Sequence, residues 1–277
     1  MAYRRVLTIQ DISCFGQCSL TVALPILSAC GQETVILPSA VLSTHTMGFK
    51  DYTFRDLTDD MPGIAGHWKK EGISFDAVYT GYLGSEKQIS IVKDIMGSLE
   101  NKGCLNIVDP AMADNGKLYP SFDMAFVESM KKLAFSADII LPNITEACLL
   151  TGYEYREQYD EDYVKGLIKA LEDSGAKTVI LTGVSYKPET TGVAVEENGK
   201  LSYYEHRRIS KGCHGTGDVY ASAFVGALMN GMSTYDAAKT AADYTVSCIE
   251  CTIGDASHWY GVEFEKALPE LIKAVRR

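Results

Sequence analysis

The sequence predicts an α/β fold: a mostly parallel central sheet with helices on both faces. Three observations lead there. Short apolar runs of strand character alternate with longer amphipathic segments along almost the whole chain, and parallel neighbours need crossover connections of that kind. Most of the runs end in polar groups or glycine, at Gln10-Asp11, 43–46, 80–82, Asp109-Pro110, Asn143 with Glu146, and Thr182-Gly183. Open α/β sheets bind ligands beyond the carboxyl ends of their strands. Finally, a glycine loop, Gly215-Thr216-Gly217-Asp218, opens a helical pattern.

Taken in order, residues 6–10 form an apolar strand, and 20–30 a helix stopped by Gly31. Residues 34–38 are a second strand, followed by the polar run Ser43-Thr44-His45-Thr46. Residues 54–70 read as helix, broken near Met61-Pro62-Gly63. A strand at 77–79 leads into Thr80-Gly81-Tyr82-Leu83-Gly84-Ser85, and 86–101 reads as helix. The strand 105–108 ends at Asp109-Pro110. A helix follows over 122–134, then a strand over 139–141 ending at Pro142-Asn143, with Thr145-Glu146 opening the next helix. Residues 162–173 form a helix and 179–181 a strand. The segments 192–195 and 200–204 read as a hairpin around Asn198-Gly199, a dipeptide suited to a tight turn. Helices over 235–249 and 264–275 close the pattern.

With 277 residues and 46% hydrophobic content the chain can bury one large core, and it reads as a single domain over 1–277. It carries 26 basic against 36 acidic residues, a formal charge of −10, and no basic cluster beyond short pairs, which argues against nucleic acid as a partner. The longest apolar run, 22–30, is interrupted by Pro25 and falls far short of a membrane span. No signal-peptide layout precedes the first strand, so a cytoplasmic protein is expected. The eight scattered cysteines are expected as reduced, mostly buried thiols. Cys248-x-x-Cys251 stands without a second ligand pair and reads as core.

The stretch 211–223 concentrates the chemistry. Gly215, Thr216 and Gly217 carry little side-chain bulk, so their N–H groups can turn together towards an anion. From Asp218 onward Val219, Tyr220, Ala223, Phe224, Ala227 and Leu228 recur at helical spacing. A helix N-terminus is an anion seat, and an aspartate in its first turn is either a cap or a base acting beside the anion. A Rossmann fingerprint needs a third glycine where Tyr220 stands, and no GxxxxGK[ST] occurs. Two carboxylates and an amide on neighbouring strand ends suit a hard cation and its waters. The sum describes a phosphoryl-transfer site.

These segments, in this order along roughly residues 4–255, resemble the ribokinase superfamily. Within it, Thr80-Gly81-Tyr82-Leu83-Gly84-Ser85 and Leu42-Ser43-Thr44-His45-Thr46 are similar to the pyridoxal (pyridoxine/pyridoxamine) kinases. The resemblance implies a ribokinase-like three-layer α/β/α fold with no large lid insertion. The implied enzyme is an ATP-dependent kinase phosphorylating the 5′-hydroxymethyl group of a B6 vitamer. It implies Asp218 as catalytic base, Gly215, Thr216 and Gly217 as anion hole, and Asp109 and Glu146 around a magnesium ion, partly through water. Asn143, Thr182 and Glu146 are implied at the triphosphate, with Asp114 and Tyr119 on a segment closing over ATP that Asn115-Gly116 would let move. Tyr82, His45 and Thr46 are implied at the vitamer ring, His45 meeting a ring hydroxyl, with Asp11 and Ser13 at the same pocket. A homodimer is implied as well, and a monovalent cation (K+) is left open. Asp11 departs from the serine common there, and an anionic side chain would favour a cationic vitamer such as pyridoxamine. Hydroxymethylpyrimidine kinase, on the same fold, and a non-catalytic vitamer- or nucleotide-binding protein are the alternatives. Residues 246–254 are expected to line the adenine pocket.

Overall fold

The structure, a computed structural model, describes residues 3–209 and 213–276. Lys211 and Gly212, at the head of the glycine stretch, lie outside the described residues. The chain runs β1 (Arg5–Ser13), α1 (Leu20–Ala29), β2 (Glu33–Leu42), β3 (Phe54–Asp56), α2 (Met61–Lys70), β4 (Phe75–Thr80), α3 (Glu86–Met96) and β5 (Glu100–Val108). It continues through a small hairpin, β6 (Ala113–Asp114) and β7 (Lys117–Leu118), to α4 (Met124–Ala134), β8 (Ile139–Ile140), α5 (Ile144–Thr151) and α6 (Glu161–Asp173). The last third comprises β9 (Thr178–Val184), β10 (Thr190–Glu197), β11 (Lys200–Arg207), α7 (Thr216–Met229), α8 (Thr234–Thr252) and α9 (Phe264–Val275).

Nine strands form one sheet in the order β11-β10-β9-β8-β5-β4-β1-β2-β3. The six central strands are parallel, and antiparallel strands close both rims. Alternation along each strand sends side chains to two cores. Leu7, Ile9, Val78, Val108, Val179 and Leu181 pack under α2 to α6. Val6, Ala77, Tyr79, Ile107 and Ile180 pack under α1, α7, α8 and α9. The expected three-layer α/β/α architecture is therefore present.

Register decides where the chemistry falls. Ile9 lies opposite Thr80, Thr80 opposite Val108, and Val108 opposite Ile140. An isolated parallel bridge joins Asn143 to Thr182. The residues just past these positions, Asp11, Tyr82, Asp109 and Asn143, thus emerge along one edge of the sheet.

Two expected elements differ. Residues 54–56 are not helical but an exposed edge strand pairing with Ala40, Val41 and Leu42. The helix starts only at Met61, with Pro62 in its first turn, where a missing N–H costs nothing. The helix expected over 86–101 stops at Met96, and β5 begins at Glu100. By contrast, the hairpin around Asn198-Gly199 forms as expected, both residues at positive φ (55° and 78°).

Phe224 is fully buried in the α7 core. Phe224→Ala is expected to destabilise the fold by about 3–5 kcal/mol, read as a lower urea midpoint at unchanged slope.

Candidate active site

The centre is the start of α7. Gly215, its N-cap, has φ 74° and ψ 3°, the left-handed region that favours glycine. A Cβ there would also run into the Gln17 carbonyl oxygen. Gly217 is different: it is exposed, and a Cβ would meet none of the described residues within 4 Å, so among these open space lies above the loop. The first N–H groups of a helix have no intrahelical partner, and those of Thr216 and Gly217 border this space. The helix behind is buried along most of its length through Ala221, Ser222, Ala223 and Gly226, so the anion seat stands on a rigid support.

Asp218 sits on the third helical position. Its Oδ2 accepts a hydrogen bond from the Ser19 N–H at 2.9 Å. Burial, opposed by that N–H and assisted by the charge of Asp11, raises its carboxyl from the usual 3.8 to about 6. The group stays ionised at neutral pH yet is poised to take a proton.

Asp109 lies within the electrostatic reach of both Glu146 and Asp218. Burial, then Glu146, then Asp218 push Asp109 well above the carboxylate range. Glu146 is 3% exposed and closes a capping box on α5: its N–H donates to Asn143 Oδ1 (2.9 Å) while its Oε2 accepts from the Asn143 N–H (2.9 Å). Its Oε1 accepts from the N–H groups of Met112 (3.1 Å) and Ala113 (3.5 Å). Burial outweighs these donors and raises Glu146 to about 8.

Among the described residues no cation is named among the charges acting on these acids, and a divalent cation fits that deficit. Among the described residues the three carboxylates do not converge within 4.8 Å of one another. Asp109, to which no hydrogen bond is made among the described residues, is the group open to such an ion, and Glu146 is engaged by backbone donors. The triad that does converge, Asp255, His258 and Glu263, lies elsewhere, and Lys266 Nζ already stands 2.6 Å from Glu263 Oε2.

On the nucleotide side, Thr182 hydrogen-bonds the Pro142 carbonyl through both N–H (2.9 Å) and Oγ1 (3.3 Å). Asn143 Nδ2 donates to the Ala113 carbonyl (2.8 Å). Tyr119 is electrostatically coupled to Glu146, Asp109, Asp114 and Asp218, and burial holds its hydroxyl protonated. Asp114 is exposed and folds onto Asn115, whose φ of 50°, with 75° at Gly116, makes a tight hairpin turn. The segment expected to close over ATP forms a hairpin here, with the Gly116 N–H donating to Thr145 Oγ1 (2.9 Å).

A cavity of about 280 Å³ adjoins Thr216, with Tyr220, Ala242, Val246 and Ile249 as apolar wall and Arg207 and Arg208 at its rim. Val246 and Ile249 fall in the stretch expected to line an adenine pocket. Arg207 ends β11 and Arg208 follows it; neither carried a sequence signal.

At the other end of the cleft Asp11 is 4% exposed and accepts from Ser13 Oγ (2.9 Å). Burial raises its carboxyl, opposed by the hydroxyls of Ser19 and Ser13 and by His45. Tyr82, half-buried, packs against Phe122 at 5.5 Å between centroids and feels the charge of Asp11. Gly81 beneath it admits the Gln10 side chain, which a Cβ would strike.

His45 is held by backbone on both sides. Nδ1 accepts from the Met47 N–H (3.2 Å), which leaves the proton on Nε2, 2.7 Å from the Tyr260 carbonyl. Both nitrogens are thus held by backbone, and burial pushes the ring towards neutrality. In this arrangement His45 has no nitrogen left for a ring hydroxyl; it fixes the loop that carries Thr46, which is exposed. Around it stand Phe15, Phe49, Trp259 and Tyr260, an aromatic wall whose members are scattered in sequence and were not singled out.

A family model described as phosphomethylpyrimidine kinase matches residues 67–261. The chain belongs to that family. Among solved structures similar to it is a Bacteroides thetaiotaomicron protein assigned to the phosphomethylpyrimidine kinases and crystallised with pyridoxal. The two are 37% identical over 98% of this chain and 96% of the other, with a TM-score of 0.92. The pyridoxal kinase of Lactobacillus plantarum is 30% identical, covering 98% of each chain, with a TM-score of 0.91. The Dictyostelium discoideum pyridoxal kinase is 26% identical over 238 residues, 80% of this chain and 77% of the relative. The family resemblance and the fold it implied are thereby confirmed.

Because the Asp218 carboxyl is raised on folding, the folded state binds its proton more tightly than the unfolded chain. Ionisation therefore costs stability as pH rises from about 4 to about 6. Asp218→Asn is expected to melt higher than wild type at pH 7.5, with the gap closing below pH 4. Thermal melts across that range check the sign.

Proposed function

We propose that this protein is an ATP-dependent kinase that phosphorylates the 5′-hydroxymethyl group of a B6 vitamer. The observation that carries the proposal is Asp218: a carboxylate raised to about 6, in the first turn of a helix whose free N–H groups border open space. The relative crystallised with pyridoxal, similar over nearly the whole chain, supports the pyridine substrate.

In this reading the hydroxymethyl oxygen attacks the γ-phosphorus of ATP and passes its proton to Asp218. The new O–P bond forms as the bond to the β–γ bridging oxygen breaks and ADP leaves. The N–H groups of Gly215, Thr216 and Gly217 hold the transferred oxygens, as positioning and electrostatics dominate phosphoryl transfer. Magnesium, held at Asp109 with Glu146 acting through water, would neutralise the phosphate charge. Asn143, Thr182, Asp114 and Tyr119 face the triphosphate, and the 280 Å³ cavity takes the adenine. The vitamer ring lies by Tyr82, with Asp11, Ser13, His45 and Thr46 shaping its pocket; His45 does so by fixing the loop rather than by bonding the ring. The whole of 1–277 is taken as one kinase domain, acting as a cytoplasmic homodimer.

Hydroxymethylpyrimidine is the second reading, favoured by the description of the matching family model. A coupled ADP-release assay with pyridoxal, pyridoxamine, pyridoxine and hydroxymethylpyrimidine side by side, with Mg2+ and with and without K+, decides between them. Turnover of a B6 vitamer is expected; turnover of none of the four would sink the kinase reading and leave the fold standing. Asp218→Asn should lose about 10²–10⁴-fold in kcat while keeping nucleotide affinity, whereas a pure binding protein has no turnover to lose.

The pH profile is a further check. The base works only when ionised, so kcat/KM for the preferred vitamer should fall as pH drops through about 6. A profile flat from pH 5 to pH 8 contradicts Asp218 as base.

Asp11→Ser removes a buried charge from the ring pocket. The expected result is a loss of preference for pyridoxamine over pyridoxal, measured as the ratio of kcat/KM values. An unchanged ratio removes the charge argument.

A further inference from the structure

Ser19 is the most unusual backbone position in the neighbourhood of the site. It has φ 54° and ψ −131°, a conformation that L-residues rarely adopt and glycine takes freely. It is 5% exposed, and the surrounding structure holds it from several directions. Its carbonyl accepts from the N–H groups of Val22 (3.0 Å) and Ala23 (2.9 Å), starting α1. An antiparallel bridge links it to Ile12 at the end of β1. With the carbonyl fixed by the helix, the N–H points the other way, to Asp218 Oδ2 at 2.9 Å, across 199 residues of sequence. The side-chain hydroxyl supports Asp11. One residue therefore donates to the carboxylate proposed as base and lowers the carboxyl of the ring pocket.

Strain that persists because its surroundings over-determine it clusters at functional sites. The neighbouring contacts show the same loop braced against the anion seat. The Gln17 carbonyl fills the space that makes residue 215 a glycine, and Gly261 closes onto the Gln17 side chain. Ser19 carries no cap hydrogen bond of its own helix, so helix capping does not account for its conformation.

We propose that Ser19 is a positioning residue for phosphoryl transfer: its strained backbone aims the N–H at Asp218 and holds that carboxylate in the orientation that receives the substrate proton. This deepens the kinase reading and rests on it. Among the described residues, the charged and titratable groups around Asp218 are Asp11 from β1, Cys18 from the following loop, Tyr79 from β4, Asp109 beyond β5, and Tyr119. All are acids, and the Ser19 N–H opposes their effect on Asp218.

The test has a part that does not need activity. In the wild-type protein the Ser19 amide proton should shift with pH as its acceptor protonates, with a midpoint near 6, and that transition should vanish in Asp218→Asn. A Ser19 amide that does not titrate between pH 5 and pH 8 overturns the contact, even if the enzyme is an active kinase. Conversely, an inactive wild-type protein that shows the titration sinks the function and leaves the contact.

The kinetic part compares Ser19→Val with Ser19→Gly. A β-branched residue cannot hold positive φ and should withdraw the N–H. We expect kcat to fall about 10–100-fold, KM for ATP to stay near wild type, and the acid limb of kcat/KM to move up as a donor to the ionised form is lost. Ser19→Gly keeps the N–H in the same conformation and should recover most of that loss in kcat and return the acid limb. If both variants lose activity alike, or if Ser19→Val keeps the wild-type limb and kcat, the positioning role is wrong.

Discussion

A partly buried carboxylate at the head of a helix is the constraint on which the rest of this structure depends. Asp218 stays ionised at neutral pH with acids around it, which isolated burial would oppose. The solution is backbone. The Ser19 N–H meets one oxygen, and the helix start supplies further positive potential. Holding those dipoles in place requires the loop after β1 to press against Gly215, and the parallel register lets β1 run on to Ser13, past the Ile9–Thr80 pair where β4 ends. Packing of α7 through small residues then keeps the carboxylate from drifting.

The same logic recurs across the cleft. Glu146 is surrounded by donors from Asn143, Met112 and Ala113, so a side chain that resembles a metal ligand in sequence is also the clasp joining α5 to the segment after β5. His45 likewise spends both nitrogens on main chain. Polar residues of this site build its walls at least as much as they face its ligands, and substitutions at Glu146 or His45 will report on both at once.

Much of this was legible in the sequence, for identifiable reasons. The parallel sheet announced itself because buried strands are apolar runs with abrupt polar ends, and Gly215 through Asp218 were visible because a left-handed cap and an anion seat both demand small residues. Asn143 and Glu146 carried capping-box spacing. What stayed hidden depends on tertiary approach. Nothing local marks Ser19, a common residue type, as sitting where glycine belongs, and Phe15, Phe49, Trp259 and Tyr260 become one wall only when distant loops meet. Residues 54–56 were misread for a related reason: an exposed three-residue edge strand has too little pattern to compete with the helix beside it.

The ladder order also has a consequence for biosynthesis. β1, the first strand made, pairs with β2 at once but waits for residues 75–80 before its other edge is covered. The core on its second face waits longer still, for α7, α8 and α9. Until α7 leaves the ribosome, Ser19 has no carboxylate to meet and α1, though seated on β1 and β2, lacks the cover that α7 gives it. A stalled or truncated product would therefore expose sticky surface while holding no functional centre, a state for chaperones to shield. Kinase activity in such a chain is a late event, and its appearance would time the docking of the last third onto the first.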